Sequence, residues 1–146
     1  MNYNLPFIPS RPGKPREFGL TMVMDKGLSL DEAKNMVASG AEYIDFVKFG
    51  FGTSLITPQL KEKIKVYRDA GIRPYLGGTL FELFIIRNMY DDFVKFVDQL
   101  GLDLVEVSDG SMEMNHKVKC DYITKLSKKF TVISEVGSKQ ADVHIP

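Results

Sequence analysis

From Gly19 onward, short runs rich in Val, Ile, Phe and Tyr alternate with segments whose apolar residues recur at helical spacing. Leu20–Met24 predicts a first strand. Ser29-Leu30-Asp31-Glu32 then reads as a capping box, in which Ser29 serves first-turn amides and Glu32 reaches back. The helix it opens turns Ala33, Met36 and Val37 inward and closes at Ser39-Gly40. Tyr43–Phe49 predicts a second strand. Thr57-Pro58 predicts the start of a helix with Pro in its first turn, Leu60, Ile64 and Tyr67 on the inner face, and a stop at Ala70-Gly71. A third strand falls at Ile72–Leu76, followed by two helical pieces, Leu80–Ile86 and Asp91–Leu100, interrupted around Asn88. Leu102–Val107 predicts a fourth strand. A helix over Asn115 to Lys129 has Val118, Tyr122, Ile123 and Leu126 inward, and Phe130–Val136 predicts a fifth strand.

Repeated strand–helix units with right-handed crossovers form either an open doubly wound sheet or a barrel. The open nucleotide-binding sheet carries GxGxxG after its first strand, whereas that turn here is Asp25-Lys26-Gly27. Charged and Gly-containing segments instead follow the second through fifth strands, as at a barrel's C-terminal face. A full barrel takes eight units and about 250 residues. The expected fold is therefore α/β, a (β/α)8 TIM-barrel type, incomplete, holding about the first five βα units. Pro6, Pro9, Pro12 and Pro15 make residues 1–18 an extended lead-in, and 19–146 the partial barrel domain.

Length and composition narrow the class further. The chain has 146 residues, enough for one domain with a real core, and 19 basic residues balance 19 acidic ones. That balance gives no global attraction to nucleic acid or an anionic membrane. No apolar run approaches the roughly 18–20 residues of a membrane span, and the first 15 residues do not have the pattern of a secretory signal. Cys120, the single cysteine, excludes an intrachain disulfide, fits a reducing cytoplasmic setting, and is expected to be a buried structural thiol.

Charges inside three apolar runs are the chemical signal. Asp45 and Lys48 sit in the second strand, Glu106 in the fourth and Glu135 in the fifth, each run leading into a Gly-containing loop. Burying an unpaired charge costs several kcal/mol, so repetition near strand ends points to an active site. Lys48 is on the side opposite Val47, suited to meet an anion or to pair with Asp45 or Glu106. Gly52-Thr53 and Gly77-Gly78-Thr79 offer amides and hydroxyls to a phosphate or carboxylate, or serve only turn geometry. Glu106 and Glu135, one unit apart, suit a shared Mg²⁺ held with substrate oxygens, and Ser108-Asp109 adds to the same rim. An ion-pair network with Lys48 and Lys139 is the plainer alternative. Lys139, beyond the fifth strand, suits a general acid. His116 and His144 have no partner at metal-ligand spacing.

Five co-linear motifs together resemble the phosphosulfolactate synthase family of coenzyme M biosynthesis. They are GLTMVMDKG (19–27), YIDFVKFGFGTS (43–54), LGGTLFE (76–82), VEVSDGS (105–111) and SEVGSK (134–139). The resemblance implies a (β/α)8 barrel and Mg²⁺-dependent addition of sulfite to phosphoenolpyruvate. It implies Lys139 as proton donor, Glu106 and Glu135 at the metal, and Lys48 with the two Gly-Thr turns at anion-binding positions. Phe51 replaces a Trp common in the family, Ser138 replaces a Lys, and the family's later strands are missing, which invites homo-oligomer formation at open sheet edges. A non-catalytic barrel relative, stress-associated or interaction-mediating, is the alternative class. A Schiff-base lyase using Lys48 or Lys139 is a third.

Overall fold

Alternation of strand and helix is realised throughout the computed structural model, which describes residues 3–137. Five strands line up in sequence order: β1 (Met22–Asp25), β2 (Phe46–Phe49), β3 (Arg73–Leu76), β4 (Leu104–Val107) and β5 (Thr131–Ser134). Every neighbouring pair is parallel, with Met24 level with Lys48, Lys48 with Tyr75, and Leu76 with Val105. Helices α1 (Leu30–Gly40), α2 (Leu60–Asp69), α3 (Gly78–Ile85), α4 (Tyr90–Gln99) and α5 (His116–Leu126) supply the crossovers. Sequential parallel order with helical returns is the pattern of a TIM-type barrel wall.

The helices pack on the face carrying Val47, Phe49, Leu76, Val105 and Val107, all buried. Those strands are apolar on that side because a strand covered by helices must be. Phe81 ties the layer together, meeting Phe93 and Tyr122 edge-on at 5.6 and 5.4 Å. Burying such a side chain contributes about 1.5–3 kcal/mol. On the opposite face lie Met24, Lys48 and Tyr75, level with one another.

Local signals explain most boundaries. Ser29 accepts from the Glu32 amide while the Glu32 carboxylate accepts from the Ser29 amide, completing the capping box. Asn88 takes φ +57° between α3 and α4, where the sequence pattern breaks. Pro58 is displaced from its expected place: α2 begins at Leu60, after Gln59 in the left-handed region. Thr57 donates its hydroxyl to the Thr53 carbonyl and prolongs the preceding 3-10 segment, Gly50–Leu55, which delays the helix. Tyr43 likewise lies in a 3-10 turn (Ala41–Tyr43), so β2 starts only at Phe46. Val118 is exposed rather than inward, and so is Cys120, against the expectation of a buried thiol. Residues 3–21 run without helix or strand, in keeping with four prolines.

Candidate active site

Strand alternation puts Lys48 and Glu106 on the helix-free face, near the strands' C-terminal ends, and there they meet. Lys48 Nζ donates to Glu106 Oε1 at 2.7 Å, with side chains 13% and 4% exposed. The same oxygen accepts from the Gly78 amide at 2.7 Å, and Glu106 Oε2 accepts from the Tyr75 hydroxyl at 3.2 Å. Burial, then the charges of Glu106 and Glu135, push the Tyr75 phenol well above its ordinary pKa. Tyr75 is therefore a neutral donor facing two carboxylates.

Gly77 and Gly78 serve neither a left-handed turn nor an open anion cradle. Gly77 has φ −70°, and a Cβ on Gly78 would stand 2.2 Å from Ser108 Cβ and 2.8 Å from Glu106 Oε1. A Cβ on Gly77 would come 2.9 Å from the Phe49 carbonyl. Glycine is required here by close approach, and the helix-initiating amide of Gly78 is already taken by the protein's own carboxylate. Thr79, next in α3, is partly exposed. Gly52 does need its glycine, at φ +71°, and Thr53 donates its hydroxyl to the Gly50 carbonyl at 2.8 Å.

The loop after β4 is equally tied. Ser108 donates its hydroxyl to Glu82 Oε1, and Ser111 donates its amide to Glu82 Oε2 at 2.9 Å. Asp109 accepts from Lys119 Nζ at 2.7 Å, and that ammonium also donates to the Glu135 carbonyl at 2.6 Å. Asp45 departs from expectation. It precedes β2, at the opposite, N-terminal rim, where it accepts from Arg16 at 2.7 Å and from the Thr21 amide at 2.8 Å. β2 begins only at Phe46, so Asp45 lies before the strand, three positions ahead of Lys48 and about 10 Å from it along the strand direction, too far to share a rim. Burial raises the Asp45 carboxyl, but the Thr21 amide and Arg16 outweigh it and hold its pKa below the usual range. Lys139 lies outside the described residues.

Three participants escape a reading by pattern alone. Tyr75 looks like strand filler until register puts it level with Lys48. Glu82 looks like an ordinary helix residue, yet it is buried. Asp25 ends β1 on the helix side, where Lys63 Nζ and the Tyr67 hydroxyl each reach its Oδ2 at 2.7 Å. Its Oδ1 accepts the Gly27 and Leu28 amides, fixing the loop after β1. Lys63 also donates to the Leu28 carbonyl at 2.5 Å and lies over the Phe49 ring. A signal existed: Lys63 falls on the stripe of Leu60, Ile64 and Tyr67.

Among the described residues no group of three or more His, Cys, Asp or Glu side chains forms a ready-made metal cage. Mg²⁺ needs none, since one or two carboxylates with substrate oxygens and water suffice. Glu106 Oε2, which accepts one long hydrogen bond from Tyr75, and the carboxylate of Glu135 fit that donor set.

Five parallel strands in sequence order with helical returns, and a lysine paired with a carboxylate at the C-terminal rim, make this part of a TIM-type barrel wall. The solved structure of CpGH84B is similar in fold, with TM-score 0.56 over 80% of this chain and 27% of that one, at 12% identity. Residues 9–145 match the family model described as (2R)-phospho-3-sulfolactate synthase (ComA), and the chain belongs to that family. It is 41% identical over 136 residues to the phosphosulfolactate synthase of Bacillus subtilis, covering 93% of this chain and 54% of that protein. To the phosphosulfolactate synthase of Methanothermobacter thermautotrophicus it is 37% identical over 137 residues, 92% of this chain and 53% of that protein. The chain thus spans about half the length of the curated relatives it matches. Among the described residues no helix is long and apolar enough to cross a membrane.

Proposed function

We propose that the protein carrying this chain adds sulfite to phosphoenolpyruvate with Mg²⁺, giving phosphosulfolactate. The observation that carries this reading is the Lys48–Glu106 pair, 2.7 Å apart on the helix-free face and not sealed from water. Lys48 and the amide end of α3 attract an anionic substrate, which competes with Glu106 Oε1 for both donors. The sulfur lone pair of sulfite attacks the CH₂ carbon, a C–S bond forms, and the C=C electrons move into the substrate carboxylate. Glu106 and Glu135 would hold Mg²⁺, which would supply Lewis-acid stabilisation of that developing charge. Lys139 then delivers a proton to the phosphate-bearing carbon, completing the addition without oxidation or reduction.

The membership in a family of phosphosulfolactate synthases supports the reaction type, and the oxygen-only donor set supports a hard cation. The test is direct. Incubation with sulfite and phosphoenolpyruvate should yield a sulfonated product detectable by ³¹P NMR, lost with chelator and restored by Mg²⁺. Lys139→Ala should abolish product while leaving phosphoenolpyruvate binding within about tenfold, because a proton donor acts in the transition state. Product formation undiminished by chelator, or near-normal turnover in Lys139→Ala, would refute the respective roles.

A further inference from the structure

Resting on that reading, we infer that Glu82 is a positioning residue: it fixes the β4–α5 loop, and through it the Asp109–Lys119 pair and the β5 end bearing Glu135. Glu82 is 3% exposed on α3, and among the described residues its hydrogen-bond donors are neutral groups. A buried carboxylate costs several kcal/mol unless strong hydrogen bonds offset it, and a purely packing role would be met more cheaply by an apolar residue. What the charge gains is control of one loop. Ser108 donates its hydroxyl and Ser111 its amide to Glu82, while the Gly110 amide donates to Ser108 Oγ at 3.2 Å.

The junction is clasped in both directions. Glu106 on β4 reaches back to the Gly78 amide that starts α3, and Glu82, one turn further along α3, reaches forward to the loop after β4. No slack remains between them, since a Cβ on Gly78 would fall 2.2 Å from Ser108 Cβ. Asp109 follows Ser108 directly and holds Lys119, whose ammonium also holds the Glu135 carbonyl. Releasing Glu82 therefore removes two of the bonds that hold the Ser108–Ser111 loop, loosens Asp109 from Lys119, and weakens the hold of Lys119 on the Glu135 carbonyl. Misplacement of a site group by about 1 Å is enough to cost about a hundredfold in rate.

Amide hydrogen exchange and steady-state kinetics on Glu82→Ala, Glu82→Gln and Ser108→Ala test this. Glu82→Ala should speed exchange at Gly110 and Ser111 by about tenfold or more while protection across α1 stays unchanged. Its kcat for sulfite addition should fall about a hundredfold with KM for phosphoenolpyruvate within about threefold, because Lys48 sits on another element. Glu82→Gln keeps an acceptor and should recover most of the protection and at least about a tenth of kcat. If Glu82→Ala does not fold, Ser108→Ala, which removes one donor to Glu82, must still speed exchange at Ser111, whose amide bonds Glu82 and not Ser108. Unchanged exchange at Gly110 and Ser111, or a raised KM with preserved kcat, overturns the inference. If the wild-type protein makes no sulfonated product, the proposed reaction fails, and the exchange results alone decide the role of Glu82.

Discussion

Two lysine–carboxylate pairs stand on opposite faces of the same sheet, and they are not alike. Lys63 and Asp25 lie between β1 and α2 with both side chains 0% exposed, bonded by the Tyr67 hydroxyl and two loop amides as well as to each other. Lys48 and Glu106 make an equally short bond, but on the face no helix covers and with the lysine still touching solvent. The first pair has every partner it needs and no route to a ligand. The second borders solvent, as the proposed anion site requires. In this sheet the charge on the helix side, Asp25, holds a loop, whereas the one on the helix-free face, Lys48, stays open to solvent.

The comparison breaks most sharply in stability. Lys63→Ala should cost about 3–5 kcal/mol, leaving Asp25 buried without its cation. Lys48→Ala should cost less than half as much by denaturant unfolding, since Glu106 keeps the Gly78 amide and the Tyr75 hydroxyl and borders water. Equal losses would mean the two pairs are energetically equivalent. In activity the order should reverse, with Lys48→Ala raising KM for phosphoenolpyruvate about tenfold or more while kcat falls less.

A steric test is next in size. Gly78→Ala should destabilise by about 1–3 kcal/mol through overpacking against Ser108 and Glu106, not through backbone strain. A crystal structure of that variant with Ser108 and Glu106 unmoved would contradict it. The pH test is smaller. Burial raises the Asp25 carboxyl, but bonds from Lys63, Tyr67, Gly27 and Leu28 win and depress its pKa. A depressed carboxyl contributes stability that is complete above the unfolded value, about 3.9, and fades as pH falls through the folded one. Wild-type stability should therefore drop below about pH 4 more steeply than that of Asp25→Asn. Last, Cys120 should react with a thiol reagent in the folded protein without denaturant, as an exposed side chain does.

The strand–helix alternation, the capping box and the break at Asn88 were legible because each depends on local pattern and backbone chemistry. The pairing of Lys48 with Glu106 was legible only as a shared phase, since choosing it over Asp45 requires knowing where β2 begins. Asp45 was misplaced for that reason: a run of apolar residues does not show which end hydrogen-bonds first. The two glycines at the start of α3 were ambiguous because their clearance is set by residues distant in sequence, the Phe49 carbonyl for Gly77 and Ser108 for Gly78. Glu82 and Tyr75 were missed because burial of a polar group by tertiary neighbours leaves no local mark.

Asp45 also sets a limit on how the protein can be trimmed or tagged. Arg11 donates to the Gly19 and Tyr43 carbonyls, and Arg16 to Asp45 and the Glu42 carbonyl, so the lead-in is strapped across the lower rim. Ahead of that strap, Tyr3, Leu5 and Phe7 are exposed. A fusion joined ahead of Tyr3 leaves the strap untouched, whereas a deletion carried through Arg16 strands a buried carboxylate. Cloning boundaries for this chain are best drawn upstream of Arg11, however dispensable the proline-rich stretch looks on paper.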